Sequence, residues 1–346
     1  MGEELEPVET AQESESAEPA QKPLTRLFRN RFGHWRAGWR FALYLLAVFA
    51  VGKSVSAVLK LWISNPAEAS FSSWHHSPLW VVAALAMIVA AVALLRWVDR
   101  RPPALLGLGI GPGWSREIGV GLAGGVVLTG ILVAALLITG SVSLRLTPDF
   151  ASRLASMPRY LFIFAAAATV EELVFRGYPL QVLAEGSRRW VAGLLLCLVF
   201  TWAHASNPDV TAVGIANVFL AAIVLTALYF QTRRLWLPIA FHMSWNFAQS
   251  WLWGFDVSGI EIEDRLLVVA ASGPDLVTGG GFGIEGSALT TVLFVALAAW
   301  LLAAKPIRPR PEVAAVWAAY PRGYGLPPEI AGSESEAAPE VAAGSP

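Results

Sequence analysis

The chain has 346 residues, of which 55% are hydrophobic and only 15% are charged, and its formal net charge at pH 7 is −1. Its mean hydropathy of +0.54 is well above what a water-soluble globular protein shows. This composition excludes a soluble globular domain and indicates an integral membrane protein. We expect no nucleic-acid partner.

Apolar runs of about 20 residues recur along most of the chain. Such a run crosses roughly 30 Å of hydrocarbon as a helix, which rises 1.5 Å per residue. Because lipid offers the backbone no hydrogen-bond partners and barrel-like alternation is absent, the runs are predicted to be helices. The predicted fold class is all-α, a polytopic membrane bundle of about eight transmembrane helices. The runs lie at roughly 40–61, 79–98, 118–139, 159–180, 190–206, 210–231, 235–254 and 288–304.

Both ends of the chain differ from this bundle in composition. Residues 1–37 are predicted to be a disordered acidic tail followed by a basic juxtamembrane segment. Residues 305–346 are predicted to be a largely disordered cytoplasmic tail. Residues 38–304 between them form one predicted membrane domain.

The distribution of Lys and Arg predicts the orientation of the bundle. Cations accumulate before the first run, after every second run and after the last, which places the N- and C-termini in the cytoplasm of a multi-pass protein of the cell membrane. Arg145 and Arg153 depart from the pattern, because they lie in the loop 140–158, which this orientation places outside. The cations that follow the pattern include Arg26, Arg29, Arg100, Arg101, Arg188, Arg189, Arg233, Arg234, Lys305 and Arg308.

Two glycines four residues apart lie in the third run. Gly121 and Gly125 form a small-xxx-small pair, which allows two helices in a membrane to approach closely. The pair is predicted to be a packing contact.

Polar side chains inside the apolar runs are the strongest functional signal. A charge at the middle of a transmembrane helix costs about 2.5–3.5 kcal/mol on insertion scales, so a cluster of such residues is by default a candidate site. The cluster comprises Glu171, Glu172, Arg176, His204, Asn217, His242 and Asn246.

The spacing of these residues separates their roles. Glu172 and Arg176 are four apart with the acid first, which favours a structural ion pair within one helix. Glu171 is rotated by about 100° from Glu172 and has no arginine on its own face, so we expect its partner on another helix. His242 and Asn246 lie one turn apart on the same face of the seventh run.

One carboxylate, two imidazoles and a carboxamide suit two kinds of chemistry. In peptide hydrolysis a carboxylate accepts a proton from water, a histidine shares it, and His or Asn donors stabilise the oxyanion. Alternatively, Glu171, His204 and His242 suffice to bind Zn²⁺ with one open position. The chain contains no H-E-x-x-H motif, which excludes the helical zincin arrangement.

The stretches TVEELVFRG, FTWAHA and FHMSWN carry a resemblance to a known family. They resemble, in order, the E-E-x-x-x-R, F-x-x-x-H and H-x-x-x-N motifs of the CPBP family, which includes the type II CAAX prenyl endopeptidases (CAAX prenyl protease 2-like) and the bacterial Abi proteins. GGGFGIEGS is also similar to a segment that bacterial members show before the last helix. The resemblance covers residues of about 100–300, the predicted protease core.

The resemblance implies a buried hydrolytic site in an eight-helix bundle. Glu171 with His204 would activate water, and His242 with Asn246 would stabilise the oxyanion or position that water. Glu172 and Arg176 would be structural. The implied function is an intramembrane endopeptidase that acts on a membrane-anchored protein or a lipidated peptide in the bilayer, either as a metalloprotease or as a metal-free glutamate-dependent enzyme.

Three other hypotheses remain open at this stage. The polar residues could join helices by hydrogen bonds alone. They could form the proton relay of a proton-coupled transporter. The chain could also be a non-catalytic immunity or scaffold protein on the same fold.

A geometric difficulty remains as well, because the predicted helix starts place Glu171 and His204 at depths that differ by about 10 Å.

Overall fold

The computed structural model describes residues 27–29, 35–62 and 77–318. Of the predicted end segments 1–37 and 305–346, residues 1–26, 30–34 and 319–346 lie outside the described residues, whereas Pro311–Ala318 is helical. The predicted all-α class is confirmed, since helices make up most of the fold. The principal helices are α1 (Ala37–Trp62), α2 (Ser77–Ala93), α3 (Trp114–Ile138), α4 (Phe150–Phe175), α5 (Tyr178–Gly186), α6 (Arg189–Ala203), α7 (Ala212–Thr232), α8 (Trp236–Phe247), α9 (Asp275–Thr278), α10 (Ala288–Ala304) and α11 (Pro311–Ala318). Single π-helical turns, Leu94–Val98 and Ala248–Leu252, extend α2 and α8.

The predicted count of eight membrane spans is not confirmed. Within the described residues, four segments are long and apolar enough to cross a membrane: Ala37–Val58, Trp80–Val98, Trp114–Ile138 and Ala212–Thr232. Helices α6 and α10 are apolar but shorter, and the 15 residues of α6 rise only about 22 Å. The chain is thus a multi-pass membrane protein. Its remaining helices are shorter or more charged than the four segments named above.

A short β-ribbon, which the sequence did not predict, lies beside the bundle. Strand β1 (Val142–Leu146) pairs antiparallel with β2 (Leu267–Ala271), and Val142 lies opposite Ala271. The ribbon joins the α3–α4 loop to the long segment between α8 and α10. This segment is also held by Asp264, which forms ion pairs with Arg153 and Arg159 of α4.

The helix is interrupted after α4, and this interruption bears on the predicted difference in depth between Glu171 and His204. Helix α4 ends at Phe175, and a Cβ on Gly177 would lie only 2.6 Å from the carbonyl oxygen of Leu173, so glycine is required at the break. Pro179 then starts the nine-residue helix α5. Helix α5 lies between the end of α4 and the start of α6, and Glu171 and His204 line the same cavity in the folded protein.

Buried ion pairs hold α5 in place at the opposite end of the bundle from the β-ribbon. Arg40 of α1 contacts Asp99, with 2.9 Å between Nη2 and Oδ2, and also pairs with Glu185 of α5. Arg101 pairs with the other oxygen of Glu185. Together these contacts fix α5 against α1 and the end of α2.

Helix α3 packs closely against α8, as the glycine pair predicts. A Cβ on Gly121 would lie 2.7 Å from the Ala240 Cβ, and a Cβ on Gly125 would lie 2.6 Å from the Trp245 backbone nitrogen. These separations are shorter than van der Waals contact. The absence of a side chain at both glycines therefore sets the distance between α3 and the helix that carries His242.

We predict that Gly125→Ala destabilises the protein by about 1–3 kcal/mol, the usual cost of overpacking a tight contact. Thermal unfolding of the purified protein in detergent measures the effect. Gly119→Ala is the matched control on the same helix, because nothing lies within 4 Å of a Cβ there. Equal melting temperatures for the two variants would contradict the close contact.

Candidate active site

Glu172 is the buried centre of the polar cluster. Its side chain is completely buried, and its Oε1 accepts a hydrogen bond from Arg176 Nη1 at 2.9 Å. The same oxygen lies 3.0 Å from Nδ1 of His242 on α8. An ionised carboxylate only accepts hydrogen bonds, so His242 donates from Nδ1. The predicted Glu172–Arg176 pair is therefore formed, and it also orients His242, which the sequence did not indicate.

Glu171 faces a different direction from Glu172 and approaches the other edge of the same histidine. Its Oε2 lies 3.8 Å from Nε2 of His242, a distance too long for a direct hydrogen bond. This oxygen is buried and has no hydrogen-bond partner among the described residues. The predicted partner on another helix is thus His242, which lies between the two glutamates.

His204 lies at the C-terminal end of α6. Its Nδ1 is 2.8 Å from the carbonyl oxygen of Phe200, and its ring packs against the Phe200 ring with 4.5 Å between centroids. A carbonyl oxygen only accepts, so Nδ1 carries the proton, and in the neutral ring Nε2 is left as an acceptor. The ring is oriented by its own helix end and by one aromatic contact.

The two asparagines of the cluster have different environments. Asn246 lies one turn after His242 and has no side-chain hydrogen bond within the described part of the chain. Asn217 is fully engaged: its Nδ2 donates to the backbone oxygens of Glu285 and Ser287, and its Oδ1 accepts from Thr291. Asn246 is free to bind a ligand, whereas Asn217 supports the loop before α10.

The four predicted catalytic residues line one cavity. The cavity holds about 100 Å³ of space accessible to water-sized molecules, and its wall combines aromatic and aliphatic side chains with a few polar groups. A concave, mostly apolar wall with a few polar groups is typical of ligand sites. The lining residues include Glu171, His204, His242 and Asn246, together with Phe200, Asn217, Trp245, Ser258 and Glu285.

The predicted metal ligands do not form a metal-binding group. No cluster of three or more His, Cys, Asp or Glu side chains arranged to hold an ion occurs within 27–29, 35–62 and 77–318. Glu171, His204 and His242 share the cavity wall without converging on one point. The residues present therefore do not fit a three-ligand zinc site.

Glu285 is a cavity residue that the sequence did not single out. Its Oε2 accepts hydrogen bonds from the backbone nitrogen of Ser258 at 2.8 Å and from Ser258 Oγ at 2.6 Å. Burial raises the pKa of the Glu285 carboxyl above its ordinary value, against the opposing effect of the Ser258 donors. It lies in a short 3₁₀ turn, Ile284–Gly286, where no helical or strand periodicity signals an inward-facing residue. The only signal was its place in GGGFGIEGS.

We predict that Arg176→Met destabilises the protein by about 3–5 kcal/mol, because it leaves the Glu172 carboxylate buried without its cation. Arg116→Met is the control, since Arg116 is exposed on α3 and its removal uncovers no buried charge. Chemical or thermal unfolding in detergent compares the two. A destabilisation no larger than that of the control would show that Glu172 does not depend on Arg176.

Comparison with known proteins agrees with the motifs. Residues 153–248, from the start of α4 through α8, match the family described as type II CAAX prenyl endopeptidase Rce1-like. No curated protein and no solved structure matches the chain. The matched segment is less than a third of the chain, but it contains Glu171, Glu172, Arg176, His204, His242 and Asn246. The match confirms the resemblance to this family over the segment that carries the three motifs.

Proposed function

We propose that this protein is an intramembrane endopeptidase that hydrolyses a peptide bond in a membrane-anchored protein or lipidated peptide without a catalytic metal. The observation that carries the proposal is the position of His242 between Glu172 and Glu171, in the wall of a cavity shared with His204 and Asn246. The metal-free mechanism is supported by the residues that line the cavity, since they do not form a three-ligand metal site.

Water activation is assigned to Glu171 with His204. The 3.8 Å between Glu171 Oε2 and His242 Nε2 accommodates one water molecule within hydrogen-bond distance of both atoms. Glu171 accepts a proton from this water as the oxygen attacks the carbonyl carbon of the substrate. The Nε2 of His204 is the second acceptor in the cavity and shares the proton.

Oxyanion stabilisation is assigned to His242 and Asn246. The two carboxylates beside His242 favour its protonated form, because opposite charges within about 4–6 Å stabilise an ion. The imidazolium donates from Nε2 to the developing oxyanion, and Asn246 Nδ2 is the second donor. Glu172 contributes by holding the ring in this orientation.

The tetrahedral intermediate collapses when its C–N bond breaks. The proton held by Glu171 and His204 passes to the leaving nitrogen, which departs as an amine, and the carbonyl carbon leaves as a carboxylic acid. Water is the only co-reactant, so atoms and charges balance. The products are two peptide fragments, of which at least one stays anchored in the bilayer.

The cell membrane is the proposed location, with the two termini and the loops rich in Lys and Arg on the cytoplasmic side. Arg153 departs from this pattern, and it is paired with Asp264. The division into tails, a membrane domain at 38–304 and a protease core at about 100–300 belongs to the same proposal. The protein's partners are the bilayer and its membrane-anchored substrates.

We predict that Glu171→Gln lowers kcat by about 10²–10⁴-fold, the contribution expected of a general base, with little change in stability. The assay is cleavage of a fluorogenic transmembrane peptide by the purified protein in detergent. Glu263→Gln removes an exposed carboxylate outside the cavity and serves as the control. Retained cleavage in Glu171→Gln, or activity that requires an ion gradient across sealed vesicles, contradicts the proposal.

We predict that chelation leaves the activity of the purified protein unchanged within twofold, since the proposed steps use only side chains and water. Metal content by elemental analysis and cleavage after treatment with EDTA or 1,10-phenanthroline are measured on the same sample. Near-stoichiometric zinc that is lost in parallel with activity, and whose return restores it, would establish the metalloprotease alternative instead.

A further inference from the structure

Glu285 is the carboxylate of the cavity to which the proposed mechanism gives no role. It lies in the loop before α10, whereas the three motifs lie on α4, α6 and α8. The loop holds it firmly, because Ser258 donates two hydrogen bonds to Oε2 and Asn217 donates to its backbone oxygen. A carboxylate fixed in this way has a defined position relative to a bound peptide.

The second carboxylate oxygen of Glu285 is available to a ligand. No hydrogen-bond donor from the described residues reaches Oε1, and the residue lines the cavity. The neighbouring wall contains Val257 and Ile260, which offer no hydrogen bonds. A carboxylate in such surroundings gains most from a cation that pairs with it, because charge interactions are strong where water is excluded.

Two of the three charges that we assign to the cavity wall, those of Glu171 and Glu285, favour a cationic ligand. The third, that of protonated His242, is already paired with Glu171 and Glu172. Among the described residues, the lining includes two carboxylates, Glu171 and Glu285, and no Lys or Arg. Arg176 is buried against the ring of Phe200, a lining residue, and is already paired with Glu172. The two cavity histidines belong to the proposed reaction, so no side chain is left to bind a carboxylate of the substrate.

We propose that Glu285 is a specificity-determining residue that selects peptide segments carrying Lys or Arg close to the scissile bond and disfavours segments carrying Asp or Glu there. The inference rests on the proposed function, since it names the class of substrate that enters the same cavity. Ser258 is the positioning residue, because it fixes the carboxylate through Oε2 and leaves Oε1 toward the ligand.

Affinity provides the first test and does not require cleavage. Dye-labelled transmembrane peptides carry Lys, Gln or Glu at one position and are otherwise identical, and this position is moved along the peptide. Each peptide is titrated onto the full-length Glu171→Ala protein in detergent. We expect the best Lys peptide to bind about 10–100-fold more tightly than its Glu counterpart, the range for one charge-assisted hydrogen bond. In Glu171→Ala/Glu285→Gln the difference falls to within about twofold.

The variant and its controls separate selectivity from folding. Gln at 285 keeps an oxygen that accepts from Ser258, so the loop remains fixed, and Glu285→Lys provides the charge reversal. Glu263→Gln, an exposed acid in the same long segment, must leave the preference unchanged. The unfolding temperature of each variant is recorded. When a variant unfolds at the same temperature as the parent protein, a change in its preference for Lys over Glu peptides reports on selectivity and not on folding.

Cleavage provides the second test. With Glu171 intact, Glu285→Gln should raise KM for the Lys peptide at least about tenfold and leave kcat and the Gln peptide nearly unchanged. A Lys preference that survives Glu285→Gln, or a preference for Glu peptides, overturns the assignment of Glu285. Cleavage that survives Glu171→Gln overturns the proposed function alone, because the affinity test still decides the role of Glu285.

Discussion

The site depends on one completely buried carboxylate, that of Glu172. Its desolvation is costly, and it is offset only because Arg176 and His242 both donate to the same oxygen. The His242 contact joins α4 to α8, so the two helices cannot shift or rotate relative to each other without removing one of the two donors from the buried carboxylate. The interaction therefore sets the position of His242 before any substrate enters.

Two adjacent glutamates in α4 perform different tasks because a helix turns by about 100° per residue. Glu172 faces the protein interior and is neutralised there. Glu171 faces the cavity, and its Oε2 has no hydrogen-bond partner among the described residues. The same local geometry therefore gives one carboxylate that is neutralised in the interior and one that faces the cavity, where the proposed function uses it as the proton acceptor.

The long segment between α8 and α10 completes the cavity that the helices begin. Arg153 and Arg159 of α4 hold it through Asp264, and the β-ribbon pairs it with the α3–α4 loop. Ser258 and Glu285 thereby reach the cavity wall. The cavity thus combines residues of the segment at 153–248, which matches the family, with residues outside that segment.

The sequence by itself determined the helical class, the Glu172–Arg176 pair, the His242–Asn246 face and the glycine pair of α3, and its motifs carried the resemblance to a family. Spacing along a helix fixes the two pairs and the shared face, because residues four apart meet in any α-helix. Only the tertiary structure decided that Glu172 orients His242, that His204 and Glu171 line the same cavity, and that Glu285 enters it. Those contacts join residues far apart in the chain through breaks, loops and helix packing, for which no local periodicity exists.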